Sequence, residues 1–248
     1  MARIIFDTET TGLDKPFCYD IGYIVIDDKN QPITQKHFVI EQIWHNLPLF
    51  ESAYYKEKRS LYVSLMRAHK ATLTKYGYAM QELARDIKKY NVTAAYAYNC
   101  EFDDKVLTYN CNWYKCINPF DNIPIFDIWA YASQFITNKP EYSLFCEQNH
   151  YFTDTGNYKG SAEIVYRYIT QTDFTEAHMG LQDSEIEMQI LLWCINNGAQ
   201  WETEYKLLKV LKRVISKPFE IKVNNKTIYK GNYVKKYIRD DKYYFTEG

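Results

Sequence analysis

No C-x-x-C pair occurs among the six cysteines (Cys18, Cys100, Cys111, Cys116, Cys146 and Cys194), which are scattered along the chain. That scatter indicates neither a disulfide framework nor a zinc site and reads as reduced thiols in a cytoplasmic protein. No apolar run approaches the ~18 residues of a membrane span. Met1-Ala2-Arg3 leads straight into an apolar strand, so no signal peptide is expected. Internal repeats and low-complexity segments are also missing, which excludes solenoid and linker-like proteins. Glycine is scarce (9) whereas tyrosine is abundant (24), a supply of rings suited to stacking surfaces. A chain rich in Lys, Asn and Tyr and poor in Gly would suit an AT-rich bacterial or phage genome. With 248 residues, 46% of them hydrophobic, there is room for one large domain or one ordinary domain with an appendage.

The net charge of −1 conceals an asymmetry. From Lys206 to Gly248 there are twelve lysines and arginines against four acids, a surplus of eight positive charges, so the preceding residues carry a surplus of nine negative ones. An acidic body with a basic end suits a metal-binding core that also holds a polyanion. Tyr229, Tyr233, Tyr237, Tyr243 and Tyr244 lie among those basic residues. Basic charge tracks a phosphate backbone and aromatic rings stack on unpaired bases, although Lys-rich alternation is also the ordinary solvated face of a small hairpin.

Residues 2–7, 20–28 and 34–40 predict three strands, with a turn at Asp27-Asp28-Lys29-Asn30, as an antiparallel meander opening a mixed sheet. Residues 46–72 show weak periodicity and no clear element. Met80, Leu83, Ala84 and Ile87 fall at helical spacing and predict a helix over 75–90. A strand over 93–98, a helix from about Phe102, a strand Ile123 to Asp127 and a helix Ile128–Phe135 follow. Further helices are expected at 143–149, 161–170, 181–196 and 202–215. Three strands followed by alternating β and α elements imply a three-layer α/β domain over 1–200. Beyond Pro218 the pattern turns strand-like on both sides of Asn224-Asn225, so 201–248 reads as a basic, tyrosine-rich extension with a helix and a β-hairpin.

The most informative stretch is Asp7-Thr8-Glu9-Thr10-Thr11-Gly12, directly after Ile4-Ile5-Phe6. Side chains alternate along a strand, so Asp7 and Glu9 share a face. Two such acids repel unless a cation lies between them, and the pair reads as half of a metal site. Asp103 and Asp183 each fall in the first turn of an expected helix. Helix starts suit acids for electrostatic reasons alone, so either acid taken singly reads equally well as a cap. His178 stands five positions before Asp183, whereas no acid pattern accompanies His37, His45, His69 or His150.

Taken together and in order, Asp7-Thr8-Glu9-Thr10-Thr11-Gly12-Leu13, Asn99-x-x-Phe102-Asp103 and His178-x4-Asp183 resemble the three motifs of the DEDDh 3′–5′ exonucleases. That family includes the proofreading subunit of bacterial DNA polymerase III, RNase T and oligoribonuclease. Asp20-Ile21-Gly22-Tyr23-Ile24-Val25-Ile26-Asp27 and Phe126-Asp127-Ile128 are also similar to family segments, and the resemblance spans roughly residues 3–196. Methionine at 179 departs from the sister family, which carries tyrosine four residues before the last acid.

The resemblance implies an RNase H-like fold and hydrolysis of phosphodiesters from the 3′ end of single-stranded nucleic acid, with DNA favoured. It also implies two divalent ions, Mg²⁺ or Mn²⁺, since hard oxygen donors select such cations. Asp7 would bridge both ions, Glu9 and Asp183 would complete the nucleophile-side site, and Asp103 would hold the second ion largely through water. His178 would be the general base, its imidazole near the ordinary pKa of ~6.5. Thr10, Gly12 and Leu13 would line the pocket for the terminal nucleotide, with Asn99 and Phe102 in its wall, although Phe102 serves equally as core. An exonuclease of RNA ends or oligoribonucleotides uses the same residues, and a binding module could keep the fold without turnover. Some relatives dimerise, so a homodimer or an association with replication or repair proteins is also in view.

Overall fold

The computed structural model describes residues 1–208 in full and, beyond them, the backbone of three strands: Ile215–Val223, Lys226–Lys235 and Tyr243–Thr246. The chain opens with β1 (Ala2–Thr10), β2 (Cys18–Ile26) and β3 (Pro32–Ile40). The short helices α1 (Glu41–Trp44) and α2 (Leu47–Phe50), a 3₁₀ turn at Lys56–Lys58 and α3 (Arg59–Arg67) follow. Next come β4 (Thr72–Thr74), α4 (Tyr76–Tyr90), β5 (Val92–Ala97), α5 (Cys100–Tyr114), β6 (Ile125–Asp127) and α6 (Ile128–Ala132). The last helices of the domain are α7 (Pro140–Asn149), α8 (Ala162–Thr170) and α9 (Gly180–Asn196).

The first six strands form one mixed sheet in the order β4-β3-β2-β1-β5-β6. The β1–β2 and β2–β3 pairs are antiparallel, as the meander requires, and the remaining pairs are parallel. The meander's turn is fixed by Asp27, whose Oδ1 accepts the backbone N–H groups of Lys29 and Gln31, each at 2.8 Å.

Alternation along β1 splits the apolar residues between two cores. Ile4 and Phe6 pack with Met80 and Leu83 of α4 and Val106 and Leu107 of α5. Ile5 packs instead with Ile128, Val165, Ile190 and Leu191 of the other helical layer. Each fully buried aliphatic side chain contributes roughly 1.5–3 kcal/mol, so a one-residue slip of this strand would exchange both sets. The result is the expected three-layer α/β arrangement, with Asp7 and Glu9 on the Ile5 face beneath α9.

Several elements differ from expectation. Residues 46–72 contain α2, the 3₁₀ turn and α3 and end at the first residue of the edge strand β4, whose three residues are too few to show periodicity. The helix starting at Ile128 widens after Ala132 into a π turn over Ser133–Thr137. No helix covers the described part of 202–215, and the rest of that span lies outside the described residues. Here the backbone N–H groups of Glu202, Thr203 and Leu208 donate to Tyr96 Oη, Tyr131 Oη and Ser133 Oγ. Of these three donors only the Leu208 N–H is one that a helix over 202–215 would have used internally, because the first four N–H groups of a helix have no intrahelical partner. Trp201 and Tyr205 continue the second core.

Beyond residue 208, the strands β7 (Ile215–Val223), β8 (Lys226–Lys235) and β9 (Tyr243–Thr246) form an antiparallel sheet in that order. The expected hairpin is its first pair, while the expected turn at Asn224-Asn225 and the tail side chains lie outside the described residues. All six cysteines are free thiols. Among the described residues no helix is long and apolar enough to cross a membrane.

Candidate metal-binding active site

The site forms where β1, β2 and the start of α9 meet. Asp7 pairs with Gly22 and Glu9 with Asp20 across the β1–β2 ladder. A β-carbon built on Gly22 would lie 1.9 Å from the backbone nitrogen of Leu181, and one on Gly180 would lie 2.5 Å from that of Gly22. Only glycine at these positions allows α9 to begin directly on the strands. The contact is reinforced by Asp20, whose Oδ2 accepts the Gly180 N–H at 3.0 Å and the Tyr62 hydroxyl at 2.6 Å. His37, passed over in the sequence, lies with Nε2 2.7 Å from Asp20 Oδ1, both side chains fully buried. Its acidic neighbour is on the adjacent strand, where spacing along the chain cannot reveal it. His45, His69 and His150 are exposed.

That junction places Asp183 above Glu9. Glu9, His178 and Asp183 each offer a ligand atom, and these atoms all lie within 4.8 Å of one another. Asp183 serves as a cap and more: its Oδ2 accepts the Met179 N–H at 2.8 Å, while its buried Oδ1 has no hydrogen-bond partner among the described residues. Asp103 ties α5 to β1, its Oδ1 accepting both the N–H (3.0 Å) and the hydroxyl (2.6 Å) of Thr8. Asp7 Oδ2 is buried and has no hydrogen-bond partner among the described residues. Burial, reinforced by Asp103, Glu187, Asp183 and Glu9, pushes the Asp7 pKa well above the usual carboxylate range. Burial likewise raises Glu9, with Asp183 adding to it, and Asp183, with Glu176 adding to it. Burial also raises Asp103, against the lowering effect of its Thr8 hydrogen bonds.

Repelling carboxylates with unused lone pairs, held in place by the fold, suit divalent cations bound through oxygen. Asp7 and Asp183, with their unpartnered buried oxygens, and Glu9, grouped with Asp183, fit such ions, whereas Asp103 spends Oδ1 on Thr8 and lies outside that group.

The histidine loop is held more firmly than an ordinary surface loop. The His178 ring stacks on Tyr55 with centroids 4.1 Å apart and planes 10° apart. Lys58 Nζ donates to the Ala177 carbonyl and sits 4.5 Å from the Tyr55 ring centroid. His178 Nδ1 lies 3.7 Å from Glu176 Oε2. Its pKa is not the ordinary value that the sequence led us to expect: burial, with Lys58 adding to it, lowers it to about 4. The imidazole is therefore neutral near pH 7, with a free lone pair but a lower basicity than an exposed histidine.

A cavity of about 600 Å³ opens beside Asp7, its wall including Asn99, Tyr98, Trp129, Lys159 and Glu187. Asn99, in the left-handed region at φ +61°, is fixed by its N–H to Asp127 Oδ1 (2.9 Å), the residue that also caps α6. Thr10 ends β1 half-buried, Gly12 and Leu13 follow it on the surface, where Leu13 is 83% exposed, and none of the three is in the cavity wall. Phe102 packs against the first core, as its alternative reading allowed. Sequence reasoning missed Glu187, Glu176, Tyr55 and Lys58. Only Glu187 left a signal, four residues after Asp183 and so on the same helical face.

The fold is similar to that of solved 3′-exonuclease structures, at low sequence identity. The nuclease domain of 3′hExo, a DEDDh family member bound to rAMP, matches with a TM-score of 0.50 and 10% identity, over 84% of this chain and 96% of that one. E. coli exonuclease I in complex with a dT13 oligonucleotide matches with a TM-score of 0.51 and 16% identity, over 79% of this chain and 41% of that one. A 3′-exonuclease in a structure of 3′-end-specific recognition of a histone mRNA stem-loop gives 0.50 and 8%, over 79% and 64%. The chain thus spans less than half the length of exonuclease I, and at these identities the likeness establishes the fold alone. No protein-family model matches the sequence, and neither does any curated protein.

Proposed function

We propose that the protein is a metal-dependent 3′–5′ exonuclease acting on single-stranded nucleic acid, DNA in preference to RNA, and releasing nucleoside 5′-monophosphates. The observation that carries this reading is the convergence of Glu9, His178 and Asp183 within 4.8 Å on a fold shared with exonucleases. Two Mg²⁺ or Mn²⁺ ions would be held by Asp7, Glu9, Asp103 and Asp183. Bound there, such ions supply a water of lowered pKa and positive charge for the phosphate oxygens. His178 takes the proton of the attacking water. Its Nδ1 is turned toward Glu176, which leaves Nε2 as the accepting atom. Thr10, Gly12 and Leu13 receive the terminal nucleotide, and Trp129 and Lys159 give the cavity an aromatic face and a cation for the strand behind it. The test is a panel of 5′-labelled single-stranded DNA, duplex DNA and RNA with Mn²⁺ or Mg²⁺. Stepwise shortening from the 3′ end that stops in EDTA is expected, fastest on single-stranded DNA. A wild type that shortens none of them sinks the reading.

Metal removal should also show in stability. The carboxyl groups of Glu9, Asp103 and Asp183 are raised to about 9, 7 and 8, against about 4 in an unfolded chain. The folded state holds these protons more tightly than the unfolded state. The stabilisation is therefore complete below about pH 4 and is lost as the pH rises through the raised values. In EDTA the melting temperature should fall between about pH 5 and pH 8.5, and saturating Mn²⁺ should restore it at the upper end. A flat profile without a Mn²⁺ response would contradict a metal site.

Residues 1–200 form the proposed exonuclease domain, with 201–248 as a basic extension whose first residues dock on the domain. The extension's charge and tyrosines suit it to hold the single strand. Truncation after Ser216 should weaken binding of an oligonucleotide and flatten its salt dependence. Unchanged affinity and slope would remove the tail from the reading.

A further inference from the structure

Glu187 lies one helical turn beyond Asp183 and is only 3% exposed. Its Oε2 accepts the Tyr98 N–H at 3.2 Å, and its side chain lines the same cavity as Asp7. Burial raises its pKa well above the usual range, and Asp103 and Asp183 add to the rise. One backbone hydrogen bond does not offset the desolvation of a carboxylate at this depth.

A second observation shows that the cluster faces something other than protein. Asp183 is 4% exposed, yet its Oδ1 has no hydrogen-bond partner among the described residues, and neither has Asp7 Oδ2. Glu187 lines the same cavity as Asp7 and stands on the helix that carries Asp183, one turn further on. A buried acid that merely supported Tyr98 would need no carboxylate neighbours, and glutamine would serve it as well.

We infer that Glu187 is a fifth carboxylate of the metal centre, holding a divalent cation together with Asp7 and supplementing the four motif acids. The inference rests on the exonuclease reading of the site and deepens it. A fifth acid leaves the two-ion site one negative charge in excess and strengthens its hold on the cations relative to four acids. Mutating such a group should weaken metal binding without disturbing the fold, because the amide oxygen introduced by Glu187→Gln can still accept the Tyr98 N–H.

The experiment is a Mn²⁺ titration of the full-length chain, by calorimetry and by electron paramagnetic resonance, on wild type, Glu187→Gln and Asp7→Asn. Melting in EDTA is recorded alongside. Glu187→Gln is expected to melt at or above the wild type in EDTA and to bind Mn²⁺ about tenfold or more weakly, the scale on which groups supporting a metal site act. Glu187→Asp, which keeps the charge, should bind more tightly than Glu187→Gln and covers the case in which the amide variant fails to fold. Wild-type affinity and stoichiometry in Glu187→Gln, with weakened binding in Asp7→Asn, would overturn the role of Glu187 and leave the nuclease reading standing. No Mn²⁺ binding by the wild type would overturn both.

Discussion

Replacing Asp7 with alanine is expected to lower kcat/KM on a single-stranded 3′ end by a factor of roughly a thousand or more. Metal-borne charge stabilisation contributes several kcal/mol to phosphodiester cleavage, and about 4 kcal/mol corresponds to a thousandfold. Asp7 is the acid on which Asp103, Glu187, Asp183 and Glu9 all act, so it sits at the electrostatic centre of the site. Its removal relieves repulsion. A ligand role therefore predicts an unchanged or higher melting temperature in EDTA together with loss of the Mn²⁺-induced rise. A purely structural role predicts the reverse, because an acid that held the fold together would be missed in EDTA too. His178→Ala provides the companion measurement. A general base contributes about 10²–10⁴ in rate, so turnover should drop while Mn²⁺ affinity is kept. Near-wild-type turnover in Asp7→Ala would refute the proposed site.

Gly22→Ala should cost the fold and the activity together. The new β-carbon would fall 1.9 Å from Leu181 N, 2.1 Å from Gly180 C and 2.3 Å from Leu181 Cα. All three are backbone atoms, so no side chain can rotate aside and α9 must move off the sheet. Overpacking costs about 1–3 kcal/mol and occasionally more, and this site belongs at the upper end. At about 2–4 °C per kcal/mol for a domain of this size, the melting temperature should drop by roughly 6–12 °C. Asp183 and His178 sit at the start of α9, and a displacement of ~1 Å there can cost a hundredfold in rate. Gly77→Ala is the control, because its nearest neighbour would be Cys116 Cβ at 4.0 Å. It should be neutral or slightly stabilising. A Gly22→Ala protein that melts and turns over like the wild type would show that α9 does not rest on β2 in this way.

Asp7 and Glu9 were legible as a pair because they share one strand face, whereas Asp103 and Asp183 read singly as helix caps and became candidates only through the motifs they resemble. The meander and the long helices were legible because strand alternation and helical periodicity are written along the chain. Glu187 was half legible, as a residue one turn from Asp183 that only burial beside Asp7 made significant. Tyr55 stacking on His178, and His37 against Asp20, were invisible because each pair joins segments that are distant in sequence. The chain beyond Trp201 misled, since hydroxyls on Tyr96, Tyr131 and Ser133 hold its backbone against the domain and no local pattern records such distant partners.

The sequence by itself determined the chemistry available to this protein: the alternating elements through short-range periodicity, and the acids and the histidine through the motifs they resemble. Tertiary structure alone decided how that chemistry is poised. Gly22 meeting Gly180 brings α9 onto the strands, and burial then raises the carboxylates and keeps His178 neutral. Close approach and loss of water arise between distant segments, and no pattern along a single chain contains them.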